Sequence, residues 1–228
     1  MTQASPHGIL LVTGLQREAR IIGDDNAQII VGGGQSERLA HDLERAATEG
    51  ARAFLSMGIA GGLRPGLPSG TVIIASAVID KGRHISTAPA WAERLNRAIP
   101  DSISGDIAGV DHMAAEVAGK AVLHQMTEAV AVDMESHIVA RIADRYGIPF
   151  AALRVIADPA ERALPLAAQA GFSSDGTVNV GAVIRSLLAS PGQAIALIRT
   201  AGDARAAFHA LSRCRRLIGP GFCFPDFG

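Results

Sequence analysis

The stretch AVAVDMESHIVARIADRYGIPFAALRVIADP, residues 129–159, decides how this chain folds. Residues 129–132 and 150–156 are short apolar runs, and between them residues 136–146 repeat apolar side chains at helical spacing, up to Gly147 with Pro149 beyond. A glycine tolerates the left-handed turn that ends a helix, and a proline cannot continue one, so the helix stops there. Runs this short and rich in Ile, Val and Leu read as strands buried on both faces. A strand, a helix and a second strand in succession form the unit of a parallel sheet.

The same pattern extends outward. Residues 8–13, 27–31, 53–57 and 71–79 are further apolar runs, and residues 35–49 and 114–125 have helical spacing with charge on one face. From 178 to 216 only helical patterns occur, broken at Pro191-Gly192, and residues 219–228 are aromatic and rich in turn formers. The expected fold is α/β: a single domain with a central mixed, mostly parallel twisted sheet flanked by helices, and a helical C-terminal region. The domain is expected to span 1–228, with a core at about 8–200 and a C-terminal helix and tail at 201–228.

Composition narrows the function classes. The 228 residues are 48% hydrophobic, enough for a large core, and the formal net charge is −1. No global field therefore draws nucleic acid or anionic lipid. The two cysteines, Cys214 and Cys223, form no disulfide framework and fit a reducing cytoplasm. No Cys/His pattern has metal-ligand spacing, so no metal is expected. Residues 1–7 lack a signal-peptide pattern, and no apolar run approaches the ~20 residues of a membrane span.

In such sheets ligands bind where strand C-terminal ends meet the next elements. The segments to search are 14–18, 58–63, 110–113, 133–136 and Asp158, each just past an apolar run. Asp133 and Glu135 leave a strand and enter a helix. They read either as helix-capping acids or as a carboxylate whose two oxygens accept both hydroxyls of a ribose diol. Arg154 lies inside an apolar strand, where an unpaired charge is costly, so it is either a structural ion pair or an electrostatic anchor of the site. Asp158 precedes Pro159 and reads as a turn residue or as an acid donating to purine N7. Glu18 reads as a solvated helix residue or as a general base acting on water. Residues 58–62, GIAGG, read as a glycine-rich loop without a nucleotide-phosphate or dinucleotide fingerprint. Gly32–Gly33–Gly34 reads as a tight turn, or as an anion site at a helix start.

The pieces VTGLQREA, SMGIAGGL, AVDMESHIVA and LRVIADPA, in this order and spacing, resemble the nucleoside phosphorylase and nucleosidase superfamily, which includes methylthioadenosine/S-adenosylhomocysteine nucleosidase. RALP, SLLASPGQ and the short length resemble its hopanoid-associated branch, which releases adenine from adenosylhopane. The resemblance implies roles. Glu135 grips the ribose hydroxyls, Met134 packs on the sugar, and Asp133, Ile59 and Gly61 stand beside the substrate. Asp158 protonates N7, while Glu18 and Arg154 surround the attacking water. Residues 110–113 edge the purine, with Met113 lining it and His112 stacking on it.

The superfamily divides on its nucleophile. Glu18, Ser56 and Ile59 stand where phosphorylases hold phosphate with two arginines and a serine, and a carboxylate beside phosphate repels it. Hydrolysis is therefore favoured. Phosphorolysis, with phosphate as co-substrate bound by Gly32–Gly34, Arg17, Arg20 and Arg83, is the enzymatic alternative. A nucleoside-binding protein without turnover is the other. No cofactor is implied. The expected partner is a purine nucleoside with a lipophilic 5′ group, met by a homodimer in the cytoplasm with peripheral contact to the inner membrane face. Phe222, Phe224 and Phe227, with Arg213, Arg215 and Arg216, shape an apolar surface there or pack into a core or interface.

Overall fold

The computed structural model describes residues 8–23, 28–170, 176, 177 and 179–225. In chain order the elements are β1 (Ile9–Thr13), α1 (Gln16–Ile22), β2 (Gln28–Val31), α2 (Ser36–Thr48), β3 (Ala53–Gly62), β4 (Val72–Asp80), β5 (Arg83–Ser86) and α3 (Pro89–Ala98). They continue with β6 (Ile103–Gly109), α4 (Val117–Thr127), β7 (Ala131–Asp133), α5 (Ser136–Tyr146), β8 (Phe150–Asp158), α6 (Leu166–Ala170), α7 (Val180–Ala189), a short 3-10 turn (Pro191–Gln193) and α8 (Ala194–Ile218).

The described strands form one eight-stranded mixed sheet, in which five of the eight pairings are parallel. Strands β3, β8, β4, β6 and β7 pair in a closed circuit, while β1 and β2 extend from β3 and β5 hangs on β4. The apolar runs are continuous because both faces of the sheet are covered. Along β1, Leu10 and Val12 face a cluster with Leu39, Leu43, Ile138 and Ile142, whereas Ile9 and Leu11 face one with Trp91, Leu95 and Leu211. Helices α2 and α5 thus cover one face and α3 and α8 the other. Burial of each such side chain contributes roughly 1.5–3 kcal/mol.

The sheet differs from the sequence expectation in three ways. Residues 58–62 are the second half of β3 and not a loop. Their glycines let the strand continue where β7, β8 and two buried charged side chains crowd it: a Cβ on Gly58 would lie 2.5 Å from Arg154 Nη1. Strand β5 has three exposed residues of four, and β6 contains Gly105 and Asp106, so neither carries an apolar run. Helix α3, which no sequence pattern above covers, starts at Pro89, whose lost N–H costs nothing at a helix start.

The C-terminal tail packs inward. Phe222 is buried, its carbonyl accepts from Trp91 Nε1 at 2.8 Å, and Arg215 stacks on its ring. Phe224 meets Trp91 edge-on, with ring centroids 5.0 Å apart. Of the two readings of these aromatics, packing holds for both: Phe222 and Phe224 lie against α3. Phe227 lies outside the described residues. No helix of the described residues is long and apolar enough to cross a membrane.

Candidate active site

The five segments picked along the rim share one cavity of about 530 Å³. Gly14, Leu15 and Glu18 come from the end of β1 and from α1. Ile59, Ala60 and Gly61 come from β3, Val110 and Met113 from the chain beyond β6, Asp133, Met134 and Glu135 from the end of β7, and Asp158 from the end of β8. Strand pairing sets their spacing. Gly58 is opposite Arg154 and Gly61 opposite Asp158, across an irregularity in register between Ala60 and Gly61.

Glu18 is not solvated: it is 1% exposed. Its Oε2 accepts backbone N–H groups of Gly14 and Leu15 at 2.8 and 2.7 Å, and its Oε1 accepts that of Ile59 at 2.7 Å. Burial raises its pKa above the ordinary carboxylate value, against the opposing pull of Arg154 and these N–H donors. A carboxylate held in place yet reluctant to stay charged suits a base.

Arg154 is fully buried beneath the cavity and does not line it. Its Nη2 pairs with Asp133, donates to Ser56 Oγ at 2.6 Å and to Ser136 Oγ at 3.1 Å, and lies 3.9 Å from Glu135 Oε2. Its Nη1 is buried with no hydrogen-bond partner among the described residues. Asp133 is consumed by this network. Both carboxylate oxygens take the Ser136 N–H, and Oδ2 also takes the Ser136 hydroxyl at 2.6 Å. Of the two acids at the start of α5, Asp133 is therefore the one engaged in structural hydrogen bonds. Burial pushes Glu135 up to about 8, with Arg154 opposing and Asp133 and Glu18 adding to the rise.

Asp158 lines the cavity and is raised to about 6, chiefly by burial. Its Oδ2 accepts from Lys120 Nζ at 2.5 Å. Sequence reasoning missed Lys120. It lies in the amphipathic pattern of α4, where a lysine ordinarily reaches solvent, and nothing local marks it as 0% exposed.

One expected lining residue stands elsewhere, and one pair of alternatives is decided. His112 is exposed and absent from the cavity wall, because Asp111 is held by Ser36 and His137 and Met113 turns to the cavity, leaving His112 on the outer side. Gly32–Gly34 is a turn: the N–H groups of Gly32 and Gly33 donate to the carbonyls of Thr13 and Gly14, which leaves neither for an anion. Arg17 stacks on Phe208, Arg83 pairs with Asp144, and Arg20 is exposed; none of the three lines the cavity. Among the described lining residues there are four carboxylates and no lysine or arginine. The far wall is apolar, built by Leu164, Ala168, Val183, Leu197, Ala201 and Ala204. No group of three or more His, Cys, Asp or Glu among the described residues could hold a metal ion.

The family model described as the phosphorylase superfamily matches residues 9–189. No curated protein matches the sequence. Among solved structures, a futalosine hydrolase mutant of Helicobacter pylori strain 26695 is similar at TM-score 0.60 and 19% identity, over 79% of this chain and 98% of that one. A 5′-methylthioadenosine/S-adenosylhomocysteine nucleosidase from Campylobacter jejuni is similar at TM-score 0.57 and 17% identity, over 90% and 98%. One from Colwellia psychrerythraea 34H, in complex with adenine, is similar at TM-score 0.59 and 14% identity, over 79% and 94%. At these identities the likeness speaks for the fold.

Proposed function

The chain belongs to the phosphorylase superfamily, and from that premise we propose that it is an enzyme that hydrolyses the N-ribosidic bond of an adenine nucleoside. The observation that carries the choice of water over phosphate is the cavity wall, which offers Glu18, Asp133, Glu135 and Asp158 but no described cationic side chain. A phosphate dianion needs cationic, multidentate donors, and this wall offers none. A sugar developing positive charge would be stabilised.

The steps follow from the residues. Asp158, kept protonatable by burial, gives its proton to N7 of the purine as the C1′–N9 bond lengthens, and the bonding pair leaves with the base. Glu135 accepts the ribose hydroxyls and lies close to the growing charge on the sugar. Water forms the new bond to C1′, and Glu18 takes its proton. Solvent then returns a proton to Asp158 and removes one from Glu18. Arg154 orients Glu135 and Asp133 from below, and its Nη1, unpartnered among the described residues, is a donor near Glu18: both groups would crowd a Cβ on Gly58. Each contribution must strengthen toward the transition state to raise the rate.

The finer reading is adenosylhopane as substrate, giving ribosylhopane and adenine. The apolar wall supplied by α6, α7 and α8 supports a lipophilic 5′ group. Exposed Leu166, Ile184, Ile195 and Ile198 on the same helices support peripheral contact with the inner membrane face. A homodimer in the cytoplasm completes the reading.

The test is to incubate the protein with adenosine, methylthioadenosine and an adenosine carrying a long apolar 5′ substituent, with and without phosphate. Adenine release that needs no phosphate, and is fastest for the apolar substituent, is expected. Phosphate-dependent formation of a ribose 1-phosphate would overturn the hydrolytic reading.

A further inference from the structure

The reaction as proposed uses Asp158 but leaves unexplained the buried cation behind it. Lys120, on α4, is 0% exposed and reaches into the turn that follows β8. Its Nζ faces four oxygens: Asp158 Oδ2 at 2.5 Å, the carbonyls of Pro159 and Arg162 at 3.0 Å each, and the Asp158 carbonyl at 3.3 Å. Among the described residues its hydrogen-bond partners are all acceptors, so its three N–H groups are all used. A buried charge without pairing would be costly, and here it is paired and saturated.

We infer that Lys120 is the positioning residue of the leaving-group acid, its ammonium fixing Oδ2 of Asp158 so that Oδ1 is left to meet the purine. The inference rests on the hydrolytic reading of the site. No side chain among the described residues bonds Oδ1 of Asp158. Lys120 fixes the carboxyl plane by binding one oxygen and the flanking backbone together, as the carbonyls of residues 158, 159 and 162 all converge on it. It also governs acidity. Burial favours the neutral acid at Asp158, Lys120 favours the carboxylate, and the balance leaves the group near neutrality. A proton donor is most effective there. After transfer to the base, the new carboxylate already has its counterion.

The other charges facing this pair are few. Asp203 on α8 raises Asp158 and is itself paired with Arg162. Glu161 in the turn also feels Lys120, and its carboxylate is engaged by the Gly66 N–H at 2.6 Å.

The experiment is the pH profile of adenine release by Lys120→Met and Lys120→Gln, each checked for folding by thermal unfolding. The glutamine keeps donors for the carbonyls without the charge, and so tests the inference if the methionine variant does not fold. Without the ammonium, Asp158 holds its proton more tightly. The alkaline limb is therefore expected to move up by about 1 pH unit or more, with turnover at the optimum lowered. A merely structural lysine would lower activity and leave the limb in place, and that result overturns the inference, as does loss of fold in both variants. Asp158→Asn separates the two levels of the reading. Full turnover in that variant would refute Asp158 as the acid. Loss of turnover there, with unmoved limbs in the Lys120 variants, would refute the role of Lys120 alone.

Discussion

Replacing Gly58 by alanine puts a methyl group between two buried charged side chains. The added Cβ would lie 2.5 Å from Arg154 Nη1, 2.7 Å from Glu18 Oε1 and 2.9 Å from Glu18 Cδ. The first distance is about 0.9 Å short of the 3.4 Å at which ordinary contact begins. Neither side chain can yield freely. Three backbone N–H groups hold Glu18, and the remaining guanidinium nitrogens of Arg154 are held by Asp133, Ser56 and Ser136. The guanidinium is planar, so Nη1 cannot swing away alone. Overpacking of this kind costs typically about 1–3 kcal/mol. A misplacement near 1 Å at the reacting groups lowers turnover by about 100-fold. Denaturant unfolding reads the first quantity, and adenine release at saturating nucleoside reads the second. A folded Gly58→Ala protein with undiminished turnover would show that Glu18 and Arg154 need not hold this arrangement for catalysis, and would remove them from the mechanism.

Further tests probe the other parts. Asp158→Asn should lower turnover by about 10²–10⁴-fold while adenine binding, measured calorimetrically, changes little. Glu135, at about 8 in the folded protein against 4.5 ordinarily, binds its proton more tightly when folded, so its contribution makes stability fall as pH rises across that window. Glu135→Gln should therefore stabilise the ligand-free protein near pH 8 and give no such gain below pH 4.5 in paired melting curves, while weakening nucleoside binding; equal gains at both pH values would refute the assignment. Trp91→Phe deletes the donor to the Phe222 carbonyl and should destabilise by about 1–3 kcal/mol in urea, with the rate of adenine release unchanged.

Strands buried on both faces declare themselves in sequence, which is why β1, β3, β4, β7 and β8 are legible as apolar runs. Helix α5 is legible to the residue because Gly147 takes the left-handed conformation that its sequence position implies. β5 and β6 carry polar or small residues and are held by their neighbours' hydrogen bonds, which no local pattern records. The site divides in the same way. Glu135, Glu18 and Asp158 follow strands and occupy one rim, as spacing predicts. That Glu18 is buried, that Asp133 is spent on Arg154 and Ser136, and that Lys120 backs Asp158 all depend on contacts between residues far apart in the chain.

The closed circuit of β3, β8, β4, β6 and β7 also bears on how the protein becomes active. Its closing pairs join distant segments: Gly61 with Val132 are about 70 positions apart, and Ile73 with Arg154 about 80. Such contacts are reached late and slowly in folding, because the loop entropy is lost before the pairing returns it. Until the ring shuts, the chain possesses its carboxylates but not the distances between them. Glu18 needs Ile59 of β3, Glu135 needs the end of β7, and Asp158 needs the end of β8. Recovery of activity on refolding should then coincide with the last ring pairing, and injury along the circuit should show itself as fewer working molecules and not as slower ones.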